Sequence, residues 1–166
     1  MDARVHRYLH HGQETYLTVL SGKTVAAISD VDSVDEDPHG YQRPPNTRRI
    51  GELKEFIEMT EGLVPGGVLL NVRPEKAGEL HFSKLGEFDG VEFGTVELPS
   101  EKFAWAMDGQ HRIRAFEAAT KDILVPVVLT ISMDRPKEAE TFNIVNSKQK
   151  NVPASLQYYA LARYAS

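Results

Sequence analysis

Apolar positions recur at two periods along this chain. Ile50, Leu53 and Ile57 fall at helical spacing and predict an amphipathic helix over Thr47–Met59, with Asn46 or Thr47 as its cap. Elsewhere the apolar residues come in short runs between turn residues, the signature of strands. Residues 16–20 and 23–28 flank Ser21-Gly22, a pattern that fits a β-hairpin or a strand followed by a short helix. Residues 68–72 read as a short buried strand after the turn Pro65-Gly66-Gly67. Residues 79–83 and 91–98 read as antiparallel strands around 86–90. Residues 103–107 form a further strand that runs straight into a helix from about Gln110 to Thr120.

The remaining stretches are less regular. Residues 124–132 are strongly β in composition, and Pro126 places them at a sheet edge or a strand start. Asp134 can cap a helix running to about Val145, after which 146–152 are polar and turn-like. Pro153 suits the first turn of a final helix over 154–164. Residues 30–39 carry five acids and a proline and read as a solvated loop. The pattern has neither an internal repeat nor a low-complexity tract.

Composition narrows the class. The chain has 166 residues, 41% of them hydrophobic, enough for one ordinary core. With no cysteine, disulfides, thiolate zinc sites and cysteine nucleophiles are excluded, and a reducing cytoplasm fits. No stretch approaches the ~18 apolar residues of a membrane span, and the amino terminus lacks the apolar run of a signal peptide, so a soluble cytoplasmic protein is expected. The formal net charge is −5, whereas a free-standing duplex-DNA binder is usually basic. DNA contact would need a local patch or a partner; a small nucleotide has no such requirement.

Candidate chemistry concentrates at Asp108-Gly109-Gln110-His111-Arg112, where the strand turns into a helix. Such a turn presents free backbone N–H groups backed by the positive end of the helix dipole, which suits an anion, often a phosphate. Gly109 allows a sharp turn or a close backbone approach. Arg112 could clamp phosphate oxygens. Asp108 could hold Mg²⁺ or take a proton from water, and His111 titrates in the range of acid–base work. The plainer reading is a turn that Asp108 caps, with the other side chains in water; three large polar groups in one helical turn beside Trp105 and Met107 count against it.

Two further motifs are weaker alone. Gln42-Arg43 precedes the stiff Pro44-Pro45 and could be held out toward a ligand. Arg48 and Arg49, as a pair, read as a solvated helix face. Asn143 and Asn146 share a helix face, and Asn146, Gln149 and Lys150 could form a wall or lid over a nucleotide; the alternative is a polar helix end whose lysines complement the dipole. The histidines are scattered and support no structural zinc site. Neither a P-loop nor a Gly-x-Gly-x-x-Gly fingerprint is present.

In this order, Tyr41-Gln42-Arg43, Asp108-Gly109-Gln110-His111-Arg112 and Phe142-Asn143-Ile144-Val145-Asn146-Ser147-Lys148-Gln149-Lys150 resemble the DGQHR-domain family. That family includes DndB, the regulator associated with DNA phosphorothioation gene clusters, and is similar to the ParB/sulfiredoxin superfamily. The resemblance implies a compact α+β fold with a mixed sheet flanked by helices, spanning residues 1–153. Residues 154–166 would be a C-terminal helix that opens a further helical region, since DGQHR proteins are usually longer. It further implies a nucleotide pocket in which Gln42, Arg43, Gly109, Gln110, Arg112, Asn146, Gln149 and Lys150 bind phosphates. Asp108 and His111 would be catalytic, with Mg²⁺ on Asp108 and ATP or another nucleoside triphosphate as cofactor.

Three expectations follow. One is a weak NTPase in a DNA-modification or phage-defence system; the second is a non-catalytic DNA-binding regulator or partner-binding module; the third is a structural piece of a larger enzyme. The final helix carries Leu156, Tyr158, Tyr159, Leu161 and Tyr164, too many large groups for one stripe, so a homodimer or contact with a further helical region is expected.

Overall fold

The computed structural model describes residues 1–59 and 66–148. The expected final helix over 154–164, and Gln149 and Lys150, therefore lie outside the described residues. Eight strands form one mixed sheet: β1 (Asp2–His10), β2 (Gln13–Ser21), β3 (Ser29–Asp30), β4 (Val68–Val72), β5 (His81–Phe88), β6 (Val91–Glu97), β7 (Ala104–Asp108) and β8 (Leu124–Ile131). Their order is β3-β7-β4-β8-β2-β1-β6-β5. The pairs β3–β7 and β4–β8 are parallel and the others antiparallel. Five helices accompany the sheet: α1 (Gly22–Ile28), α2 (Thr47–Met59), α3 (Pro74–Ala77), α4 (Gln110–Ala118) and α5 (Arg135–Lys148). The class is α+β, as expected.

Strand alternation divides the helices between two faces. Leu70, Val72, Val127 and Leu129 join Val25, Ile113 and Phe116 in one buried cluster, so α1 and α4 cover that face of the sheet. Ile57 of α2 is buried there too, with Ile50 and Leu53 packed against it, as the helical spacing predicted. Leu69, Asn71, Val128 and Thr130 alternate with these core residues and point to the other face. Only α5, among the described helices, lies there: its Lys137 and Thr141 border a cavity with Leu69, Val128 and Thr130.

Local chemistry explains most boundaries. Asn46 caps α2, its Oδ1 accepting the Arg49 N–H at 3.2 Å. Asp134 caps α5 in the same way through the Lys137 N–H at 2.9 Å. Ser21 caps α1, which settles the 16–28 segment as strand then helix rather than hairpin.

Several expectations are corrected. Of the two places expected for Pro126, the sheet edge is wrong and the strand start holds: it is near the start of β8, inside the sheet, one residue before β4 begins to pair at Val127, so its missing N–H interrupts nothing there. Strand β5 runs through Gly86 to Phe88, and the turn is only Asp89-Gly90, both at positive φ. Helix α5 continues past Val145, so Asn146 is helical. Residues 30–39 are not simply solvated: Asp32 and Ser33 are buried. Strand β1 and the short β3 and α3 had no counterpart in the sequence reading.

Candidate functional site

Strand β7 delivers the Asp-Gly-Gln-His-Arg turn to the surface through a β-bulge. Leu69 pairs with Asp108 and Leu70 with Ala106, which leaves Met107 as the extra residue. A bulge re-aims the side chains that follow it. Gly109 then adopts φ 95°, a left-handed conformation that caps α4 without a side chain. A Cβ there would sit 2.8 Å from Val68 Cγ1 and 3.2 Å from Arg112 Nη2. Gly66 packs as tightly, since a Cβ on it would lie 3.1 Å from Arg112 Nη1. Two glycines thus seat one guanidinium.

The turn opens into a cavity of about 240 Å³ lined by Gln42, Arg49, Asp108, Gln110, His111, Arg112 and, from α5, Phe142 and Asn146. Drug-sized ligands occupy pockets of ~300–1,000 Å³, so this one suits a small polar group rather than a whole nucleotide. Two cations, Arg49 and Arg112, face a single carboxylate, Asp108. Arg112 Nη2 donates to Asp108 Oδ2 at 3.0 Å. Gln110 Oε1 and Arg112 Nε are buried and have no hydrogen-bond partner among the described residues. Buried polar atoms are nearly always partnered, so two orphans at one helix N-terminus mark unused binding capacity.

His111 bridges α4 to the start of α2: its Nε2 accepts the Asn46 backbone N–H at 3.0 Å. An accepting Nε2 makes the ring neutral, with its proton on Nδ1. Burial lowers its pKa below the usual 6.5, Arg49 and Arg112 push it down further, and Asp108 opposes them. His111 at neutral pH is therefore a neutral donor rather than a cation.

Of the expected residues, Gln42, Asp108, Gly109, Gln110, His111, Arg112 and Asn146 come together, although Gln42 and Asp108 are far apart in sequence. Gln42 is 1% exposed, and its Nε2 donates to the Ala106 carbonyl instead of standing free. Arg43 is exposed and does not line the cavity. The second cation is Arg49, which is exposed, as a solvated helix face requires, and also lines the cavity. Gln149 and Lys150 lie outside the described residues.

A buried ionic network beneath the cavity was not anticipated at all. Glu138 of α5, 0% exposed, accepts from Tyr41 Oη at 2.8 Å, Asn71 Nδ2 at 2.7 Å and Arg73 Nη2 at 2.7 Å. Arg73 also pairs with Asp32 and stacks on Trp105, 4.2 Å from the ring centroid. Arg135 holds the far side of Asp32 at 2.6 Å. Burial, then the Glu138 charge, raise the Tyr41 pKa far above its usual value, so the phenol stays protonated. Tyr41 packs edge-on against Phe142, 5.3 Å between centroids. The network therefore fixes both the Tyr41-Gln42 segment and the α5 wall of the cavity.

No group of three or more His, Asp or Glu side chains able to hold a metal occurs among the described residues. No helix among them is long and apolar enough to cross a membrane. No curated protein and no solved structure matches the chain. A family model, DndB, described as DNA-sulfur modification-associated, matches residues 3–160, and the chain belongs to that family.

Proposed function

We propose that the cavity binds the phosphate end of a nucleotide, with the remainder of the ligand outside it, in the service of a DNA-sulfur modification system. The observation that carries this reading is the unpartnered buried Arg112 Nε–H, a donor near the N-terminus of α4 in a cavity that a second guanidinium, Arg49, also lines. Backbone N–H groups at such a terminus, with Arg49 and Arg112, attract and orient phosphate oxygens. This arrangement is what a ParB/sulfiredoxin-like domain would offer at the same turn. The site residues that carry it are Gln42, Gly109, Gln110, Arg112 and Asn146, with Arg49 in place of Arg43.

Hydrolysis asks more of Asp108. Mg²⁺ is commonly held by one or two carboxylates plus substrate phosphates and water, so Asp108 fits as the single protein carboxylate. Bound Mg²⁺ would neutralise charge on the phosphates. Asp108 must first release Arg112, which then turns to the phosphate. Asp108 next orients the attacking water, and neutral His111 donates from Nδ1 to a phosphate oxygen. A second reading, a non-catalytic ligand-sensing regulator or DNA-binding module, is favoured by one fact: Asp108, the only acid among the described residues lining the cavity, is already paired. Exposed Arg43 and Arg48 beside the cavity could then meet a DNA backbone.

Titration with tripolyphosphate and with ATP, CTP and GTP plus Mg²⁺, followed by phosphate-release assays, tests both. Arg112→Ala should weaken binding about tenfold or more, a charge-assisted bond being worth ~1.5–3 kcal/mol, and Arg49→Ala should weaken it less, because that side chain is exposed. Arg43→Ala should change it less than about twofold, as expected for an exposed charge. Turnover that Asp108→Asn abolishes supports the enzyme; tight binding without turnover supports the sensor. Wild-type protein that binds none of these ligands refutes the pocket assignment.

A further inference from the structure

The lining of the Asp108 cavity changes character with depth. Two helices pass from polar to apolar across it within one turn: α2 presents Arg49 and Leu53, and α5 presents Asn146 and Phe142. Arg49 and Asn146 are exposed and form the rim, whereas Leu53 and Phe142 are half-buried. Met107 is fully buried and lies deeper still. Gln42, also buried, spends its Nε2 on the Ala106 carbonyl. Among the described residues, the donors therefore come from the α4 terminus, with His111 and Arg112, and from the rim. Leu53, Met107 and Phe142, each from a different element, make an apolar wall behind them.

An ordinary phosphate fits such a lining poorly at one position. Its oxygens share the charge and are strongly hydrated, and a buried oxygen without a donor is costly. An oxygen turned toward Leu53, Met107 and Phe142 would find no donor on them. Gln110 Oε1, buried and itself an acceptor, offers it none either. Sulfur in place of that oxygen is larger, softer and more weakly hydrated. It packs well beside polarisable and aromatic groups, and Met107 and Phe142 supply one of each. We infer that this cavity selects a thiophosphoryl group, a phosphate in which sulfur replaces one oxygen. Its oxygens meet Arg112 and the α4 terminus, and its sulfur meets Leu53, Met107 and Phe142. The inference rests on the phosphate-binding reading above and adds the atom that distinguishes the ligand. A phosphate bearing sulfur also agrees with the family's association with DNA-sulfur modification.

Calorimetric titration of the full chain with inorganic thiophosphate and with inorganic phosphate tests this. EDTA is present throughout, so that the preference of Mg²⁺ for oxygen ligands plays no part. Thiophosphate should bind about threefold or more tightly, within the range of a sulfur–aromatic contact. Leu53→Asn puts an amide donor into the apolar wall and should bring the two affinities to within about twofold of each other. An unchanged ratio in the folded variant overturns the placement of sulfur against this wall; should the variant not fold, the wild-type ratio decides. Two further pairs identify the source of the group. Adenosine 5′-thiophosphate against AMP represents a nucleotide end. A dinucleotide with an internucleotide phosphorothioate, in each stereoisomer, against the unmodified dinucleotide represents DNA. A preference for sulfur in any pair supports the inference and names the source. Equal affinities, or a preference for oxygen, in every pair overturn it and leave the phosphate-binding reading standing. Binding of no member of any pair overturns both.

Discussion

Replacing Glu138 by Gln tests whether the ionic network supports the fold and the site together. Glu138 is fully buried and accepts four hydrogen bonds, two of them from the Arg73 guanidinium. A glutamine has one acceptor oxygen and one NH₂ group. The NH₂ must therefore face Asn71 Nδ2, Arg73 or the Tyr41 hydroxyl, and at least one of these donors loses its partner. Arg73 meanwhile keeps a full charge in a buried site with only Asp32 to balance it. Breaking a buried pair from one side costs ~3–5 kcal/mol. For a chain of this size about 1 kcal/mol corresponds to ~2–4 °C, so Tm should fall by roughly 6–20 °C. Urea denaturation followed by circular dichroism measures the same loss. The double variant Glu138→Leu with Arg73→Met removes both charges and should recover more than half of the loss, because the penalty lies in the uncompensated partner. A loss below about 1 kcal/mol, or a double variant less stable than either single, would refute the reasoning.

Gly109→Ala should cost ~1–3 kcal/mol, from a side chain forced to φ 95° and into Val68, and should weaken triphosphate binding by displacing Arg112; a change of only a few tenths in urea denaturation would contradict this. The His111 ring should titrate below 6.5 by NMR, and bound phosphate should raise the midpoint. Because the depressed value means that the unfolded chain holds more protons, the His111 contribution to stability is complete above pH 6.5 and falls as pH drops from 6.5 toward the lowered value. A midpoint at or above 6.5 in the free protein would show that the Asn46 contact does not hold the ring neutral.

Legibility in the sequence followed the range of the interactions. The α2 helix could be read because its three apolar residues sit at one period and its cap is adjacent. The Asp-Gly-Gln-His-Arg turn could be read because five consecutive residues carry it. Arg49 could not: its role depends on a cavity wall more than fifty residues away in the chain. Strand β1 was hidden because only Ala3 and Val5 of it are buried, while Arg4 and His6 alternate with them and Arg7 takes the next inward position, which breaks any apolar run. Asp32 looked like one acid among five in a loop, and nothing local distinguishes it from its exposed neighbours Asp35 and Glu36. Only Arg73 and Arg135, distant in sequence, make it a core residue.

Helix α5 shows why the missing information matters to function. It has almost no apolar stripe, because its inward face is built from Glu138, Phe142 and Asn146 at four-residue spacing. Periodicity sees such a helix as solvated. Yet those three residues connect, in order, the buried arginine, the Tyr41 ring and the cavity at the Asp108 turn. The adjacent flank, Lys137 and Thr141, borders the second cavity, with Leu69, Val128 and Thr130. One helix thus separates the polar cavity from the second one, and Glu138 sets its position through hydrogen bonds whose geometry tolerates little displacement. A shift of α5 that breaks the bond to Tyr41 must also move Phe142, which packs on that ring, and so alter the wall opposite Arg112. A second cavity lies along the other flank of the same helix, so a movement of α5 changes the shape of both.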